Sequence, residues 1–332
     1  MRIAIIGTGL SGLATGWFLL QNPVLSSSIQ LTFFDSKGIG GGASGVAAGL
    51  LHPYAGASAK LNRHGWEGFK STLMLLDVAA RQLNKPVARQ DGLLRIALSE
   101  KQLTDFWLSS EKYQEVRWMS AAETTAKVPY LSPYPGIFIS ESITVDCPLY
   151  LEGLWQACQR RGARFEVSKI DSPTQLSNFD CVVFALGAEV NNLLTDPLPI
   201  KGIKGQILCT TWPSSYPFPS FALNSQAYII QDKGNCIVGA TYERGYKNHE
   251  PDIDRAYQEI MPKAKALIPV LGETELLSCR AGIRASTPDH MPLIKKLDAR
   301  HWVITGMGSK GLLYHALYAE NLVKMMISEL IP

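Results

Sequence analysis

Arg2-Ile3-Ala4-Ile5-Ile6-Gly7-Thr8-Gly9-Leu10-Ser11-Gly12 is the stretch whose reading decides the fold. Arg2–Ile6 is a short isoleucine-rich run, as expected of a parallel strand buried on both faces. Gly7, Gly9 and Gly12 follow in the pattern G-x-G-x-x-G, and Leu10–Leu20, apolar with small residues, reads as a helix. The first glycine permits the tight turn, the second lets a pyrophosphate approach the backbone, and the third lets helix and strand pack closely. The helix N-terminus, starting at Leu10 and Ser11, then offers unpaired N–H groups to phosphate. Ile29–Phe34 reads as a second strand ending at Asp35, with Ser36 beside it. That completes a β-α-β unit with an acidic residue placed for a ribose hydroxyl.

The fingerprint alone does not separate NAD from FAD; the segments farther out do. Glycine and alanine crowd 38–49, where Gly42-Ala43-Ser44-Gly45 leads on to Gly49 and Leu50. This loop offers a second set of backbone and hydroxyl donors to phosphate or flavin. Asp180–Gly187 is a further β run, closing on Ala185 and Gly187 as where a backbone passes close to a cofactor. Gly306-Met307-Gly308-Ser309-Lys310-Gly311 precedes Leu312 and the last helix, expected over Leu312–Glu329. The N–H groups at that helix start suit the negative charge that builds at flavin N1–C2=O on reduction. In this order, the segments predict a bound FAD.

The middle of the chain has a different character. Gly92–Leu98 reads as a strand, Lys101–Tyr113 as a helix, and Val128–Gly136 as irregular. Gln206–Thr211, Ala227–Gln231 and Cys236–Thr241 read as strands, the last two joined by a turn at Gly234. Trp66–Leu83, Leu149–Arg161 and Ile253–Ile268 read as helices, and Arg164–Val167, Leu276–Ala285 and His301–Thr305 as strands. The expected fold is α/β with α+β features: a Rossmann-type FAD-binding domain interleaved with an antiparallel-sheet substrate domain. The first takes 1–84, 143–200 and 280–332; the second takes 85–142 and 201–279.

Composition narrows the setting. Of 332 residues, 46% are hydrophobic and 18% charged, with a net charge of +3, too small to mark a nucleic-acid-binding surface by itself. The six cysteines show no C-x-x-C spacing and read as buried free thiols. No spacing suggests a metal site, no apolar run is long enough to span a bilayer, and the N-terminus does not read as a signal peptide, so the expected location is the cytoplasm.

Nearly the whole chain resembles the D-amino-acid oxidase superfamily, which includes glycine oxidase and sarcosine oxidase. Three stretches carry the resemblance: the fingerprint with Asp35, the run Ile237–Glu243, and the run Ala281–Asp289. The resemblance implies that Arg284 binds the substrate carboxylate and that the backbone at Val167 contacts adenine. Family members with covalent flavin carry a cysteine two residues before the position of Arg284; here Gly282 stands there, which implies non-covalent FAD. A narrower resemblance joins Gly42–Gly45, Leu51-His52-Pro53, Arg280–Pro292 and Gly308–Leu312 to the flavin domain of a bifunctional tRNA-modifying enzyme. That domain removes a carboxymethyl group from a carboxymethylaminomethyl uridine. Two departures stand out: no methyltransferase domain accompanies the match, and Lys310 replaces the usual arginine.

Five residues are weighed for chemistry. Arg280 and Arg284, four residues apart, share one face of an uninterrupted strand, and two guanidiniums suit a carboxylate. His52 reads either as a base or as packing against the flavin face, with packing preferred, and Tyr242 either bonds substrate or fills the sheet, as does Tyr246. The expected substrate is a glycine-like amine, R–NH–CH2–COO−, oxidised at its C–N bond by hydride transfer to flavin N5, with oxygen or another acceptor taking the electrons. The alternative is the same chemistry on a modified tRNA wobble uridine, with Lys60, Arg63, His64 and Lys310 as rim cations.

Overall fold

The computed structural model describes residues 1–25 and 28–330; positions 26, 27, 331 and 332, which fall in the expected segments 1–84 and 280–332, lie outside the described residues. Its first layer is a six-stranded sheet in the order Leu293–Lys296, His301–Thr305, Cys181–Phe184, Arg2–Ile6, Gln30–Asp35, Arg164–Val167. All neighbours are parallel except the first pair. Alternation along the central strands sends Ile3, Ile5, Leu31 and Phe33 to one face and Ala4, Ile6 and Phe34 to the other. The first face is covered by helices Leu10–Gln21, Gly65–Leu83, Cys147–Arg160 and Gly311–Leu330, whose apolar residues join the same core. Both faces are buried, which is why these strands read as continuous apolar runs.

The second layer is an eight-stranded sheet in the order Leu276–Ser286, Lys201–Thr210, Asn235–Gly239, Tyr228–Asp232, Ala222–Asn224, Leu93–Ile96, Gly136–Ile139, Val116–Met119. Only the pairing of Ala222–Asn224 with Leu93–Ile96 is parallel. Helix Ile253–Leu267 buries Ala256, Ile260 and Ala264 against Leu208, Ile229 and Val238 on one face; Ile207, Ile230 and Ile237 occupy the other. A small three-stranded sheet, Leu50–Leu51, Ile143–Val145 and Ala88–Arg89, completes the set.

The expected α/β fold with a parallel and a largely antiparallel sheet is the observed one. Several details differ. The 38–49 loop contains one turn of helix, Ala43–Val46. Gly136, expected in an irregular stretch, opens the strand Gly136–Ile139. Strands Val116–Met119, Ala222–Asn224 and Leu293–Lys296 were not expected; each has three or four residues, too few to display alternation. A division between Cys279 and Arg280 falls inside the continuous strand Leu276–Ser286. Of the cysteines, Cys147, Cys158, Cys181 and Cys236 are buried free thiols, whereas Cys209 and Cys279 are half-buried. Among the described residues, no helix is long and apolar enough to cross a membrane and no cluster could hold a metal ion.

Candidate active site

A cavity of about 730 Å³ opens between the two main sheets' elements. The fingerprint forms part of its wall. Gly7 has φ +106°, and a Cβ there would lie 2.4 Å from the Ala185 carbonyl oxygen. A Cβ at Gly12 would lie 1.9 Å from the Gly7 oxygen, so that glycine serves helix–strand packing and does not line the cavity, whereas Gly7, Gly9, Leu10 and Ser11 do. Helix Leu10–Gln21 begins without a side-chain cap of its own, although Ser44 Oγ accepts the Leu10 N–H at 3.1 Å. Asp35 lines the cavity beside Ser36 and ties the loop together: Oδ2 accepts from Thr8 N at 2.9 Å and Thr8 Oγ1 at 3.0 Å, and Oδ1 from Lys37 N at 2.9 Å. Ala43, Ser44, Gly49 and Leu50 lie along the same wall, as do Ala185 and Gly187. Val167 does not: the residue is 71% exposed, and the following residues Ser168 to Asp171 face the cavity instead.

Against the fingerprint stands the closing segment: a Cβ at Gly311 would lie 3.5 Å from Leu10 Cδ1. Gly308–Lys310 is a single turn of tight helix leading into Gly311–Leu330, and all of Gly308, Ser309, Lys310, Gly311 and Leu312 line the cavity. Burial lowers the Lys310 ammonium from its usual value, and the group lies 5.6 Å from the centre of the Tyr314 ring. The N-termini of two neighbouring helices, a phosphate-side wall stripped of Cβ atoms and a carboxylate at the end of the second strand form a cradle that fits FAD.

The eight-stranded sheet supplies the remaining wall. Arg284 extends from the edge strand across its neighbour: a Cβ at Gly205 would lie 2.1 Å from Nη2 and 2.3 Å from Cζ of Arg284. Its Nη1 donates to the Thr241 carbonyl at 3.4 Å, and among the described residues it has no carboxylate partner. Tyr228 reaches in from the other side, its hydroxyl oxygen 2.4 Å from where a Gly239 Cβ would be. Burial pushes the Tyr228 hydroxyl up to about 12, against the opposite pull of Arg284 and Arg280, so it stays a neutral donor. Bare glycines thus let a guanidinium and a phenol lie flat on the sheet, both facing the cavity. Such a pair offers an anion both charge and donated hydrogen bonds.

The other candidates separate. Arg280 shares the strand and face of Arg284 but does not line the cavity; it sits opposite Ile207. Tyr242, 48% exposed, faces a smaller recess of about 260 Å³ together with Arg284, His290 and Lys310. Tyr246 packs its hydroxyl against Gly202, filling the sheet. His52 lines the main cavity, buried, and desolvation together with Arg95 lowers it to about 3, so it stands neutral and is a poor base. Among the expected rim cations, Lys310 lines both openings, whereas Lys60 pairs with Asp105 at 3.5 Å and lines neither, like Arg63 and His64. His249 also lines the main cavity. Tyr228, Arg95 and Asn224 also line it and escaped the sequence reading; no local pattern marks them.

Residues 2–325 match the family described as FAD dependent oxidoreductase (DAO). The chain belongs to that family. It is therefore an enzyme that uses FAD, and the cradle described above is where its own residues would hold the cofactor. Among curated relatives, the tRNA 5-methylaminomethyl-2-thiouridine biosynthesis bifunctional protein of Idiomarina loihiensis is 25% identical across 99% of this chain and 56% of its own length. Glycine oxidase of Bacillus subtilis is 24% identical across 93% of this chain and 88% of that protein. The chain thus spans about half the length of the first curated relatives it matches. Among solved structures, glycine oxidase from Geobacillus kaustophilus superposes with a TM-score of 0.84 at 21% identity, covering 98% of this chain and 95% of that one.

Proposed function

We propose that this FAD-dependent oxidoreductase oxidises the carbon–nitrogen bond of an amino-acid-type amine, R–NH–CH2–COO−. The observation that carries the reading is Arg284: a cavity-lining guanidinium with no carboxylate partner among the described residues, seated on Gly205 beside Tyr228. Bound FAD supplies a two-electron acceptor. Arg284 holds the carboxylate, Tyr228 donates to it, and together they fix the Cα–H of the substrate, which is positioning rather than acid–base work. His52 contributes neutral bulk rather than a base, in keeping with its lowered pKa of about 3. The start of Gly311–Leu330 favours negative charge at the cofactor end of the cavity. Attachment of the flavin is non-covalent, and oxygen or another acceptor completes the cycle. For the domain division, sheet membership favours 1–84, 143–200 and the segment after Ser286 as the FAD-binding unit.

A second reading keeps the chemistry and changes the carrier. The recess beyond Arg284, with Lys310, His290 and the exposed Tyr242, gives a larger R group a cationic, aromatic way out. A modified tRNA uridine bearing a carboxymethylaminomethyl group has that shape. Anaerobic bleaching of the flavin with glycine, sarcosine, a panel of D-amino acids and such a tRNA tests both. Reduction by a small amine, indifferent to salt, supports the first reading. Reduction by tRNA that weakens steeply with added salt supports the second. No bleaching by any carboxylated amine would remove both.

A further inference from the structure

We propose that Arg95 and His52 form a second anion subsite in the same cavity, so that the substrate is an N-carboxymethyl amine carrying another acidic group. The proposal rests on the amine-oxidation reading above and narrows its substrate class. Arg95 is brought to the cavity by a row of paired residues running across the sheet: Arg95 opposite Asn224, Asn224 opposite Tyr228, and Tyr228 opposite Gly239. Directly opposed residues project to the same face. Arg95 therefore rises from the face that carries Tyr228, two strands away, roughly 10 Å at the backbone. Arg95, Asn224, Tyr228 and Arg284 all line the one cavity.

The environment of Arg95 is unusual for a cation. It is 6% exposed, and its guanidinium lies 5.1 Å from the centre of the Phe106 ring. Nη1 donates to the Tyr54 carbonyl at 3.0 Å and Nη2 to the Gly56 carbonyl at 2.6 Å. The rest of its five N–H groups have no protein acceptor, and no carboxylate pairs with it among the described residues. Glu243, also buried, has the counter-ion Arg255 at 3.3 Å. A buried charge held by neutral carbonyls alone is costly, and an incoming anion removes that cost. His52 stands in the same wall, 6% exposed, with a buried Nδ1 that has no hydrogen-bond partner. Ala55 and Gly56 also line the cavity and bring nothing larger than a methyl group to obstruct a ligand. A cation short of acceptors, beside a histidine whose buried, unpartnered Nδ1 a turn of the ring would present, and placed apart from the Arg284–Tyr228 pair, suits a second acidic group on one substrate.

The test compares ligands that cannot be oxidised, read by the change they cause in the visible flavin spectrum of the holoenzyme. Methoxyacetate mimics sarcosine; carboxyalkoxyacetates with one to three methylenes add a second carboxylate at graded distances. At least one of the dianions is expected to bind wild type about tenfold to a hundredfold more tightly than methoxyacetate, as a charge-assisted hydrogen bond implies. Arg95→Met is expected to remove that preference while leaving methoxyacetate affinity within about twofold, and Arg95→Lys to keep part of it. The wild-type comparison stands even where Arg95→Met does not fold. Equal binding of the monoanion and every dianion overturns the subsite, as does an Arg95→Met protein that loses both ligands alike, the mark of a residue that only pins the 54–56 loop. Methoxyacetate binding that Arg284→Ala abolishes, without any preference for dianions, sinks the second subsite alone. Failure of every ligand to bind sinks the amine-oxidation reading with it.

Discussion

Gly205→Ala isolates the positioning of Arg284 from its charge. The new Cβ would sit 2.1 Å from Nη2, 2.3 Å from Cζ and 2.5 Å from Nη1, whereas ordinary contact begins at 3.4 Å. The guanidinium has to retreat by more than 1 Å. Because the clash is with the free end of a flexible side chain, and because Gly205 lies in a strand where alanine costs no backbone strain, the fold should accept the change. Stability is expected to shift by less than about 1 kcal/mol in either direction. Binding is another matter. A displacement of about 1 Å costs up to about a hundredfold in a positioned reaction, and a charge-assisted hydrogen bond to carboxylate contributes about 1.5–3 kcal/mol. The variant should hold FAD at wild-type occupancy and unfold at nearly the wild-type urea midpoint. Its affinity for methoxyacetate, and its rate of flavin reduction by sarcosine or any accepted amine, should fall about tenfold to a hundredfold. A Gly205→Ala protein that binds carboxylate with wild-type affinity would show that the guanidinium seen over Gly205 is not the clamp.

Three further outcomes are expected. Arg284→Ala should lose at least as much as Gly205→Ala and keep its yellow colour, and Arg284→Lys should regain part of the loss, because an ammonium cannot form the planar fork; the ratio of kcat/KM values reads this directly. Acid precipitation should release flavin to the supernatant, since Gly282 offers no thiol and the nearest, Cys279, directs its Sγ to Gln206 Oε1 at 3.8 Å; flavin retained in the pellet refutes this. The structure also sets an acid limit: burial lowers His315 to about 4 and His52 to about 3, so the unfolded chain takes up protons below pH 6.5 while the folded one does not. Stability should therefore be full above pH 6.5 and fall toward pH 4 by about 1.4 kcal/mol per group per pH unit, a slope that urea titrations of His315→Phe should show reduced.

What could be read from the sequence was what a few neighbouring residues dictate by themselves. Gly7 must adopt φ +106° under the Ala185 carbonyl, and Gly12 must meet the Gly7 oxygen, so the fingerprint announces itself in six letters. Arg284 was legible because it stands in a long strand among residues that resemble a known carboxylate site. Periodicity placed Arg280 beside it on the same face, and that much is so; yet a cavity is bounded by neighbouring strands, and only Arg284 has a bare glycine, Gly205, to lie across. Tyr228 and Arg95 could not be found in this way. Their meaning comes from a row in which residue 95 meets 224, 224 meets 228 and 228 meets 239, and that register is set by pairings between strands far apart in the chain. One of those strands, Ala222–Asn224, is only three residues long and carries no alternation to betray it. The cofactor end of the cavity is built from local backbone geometry and the substrate end from long-range register, so sequence reading finds the flavin more readily than the molecule it oxidises. For the same reason, substrate identity in this chain is to be sought in the residues that cross-strand pairing brings to Arg95 and Tyr228 rather than in the motifs that announce FAD.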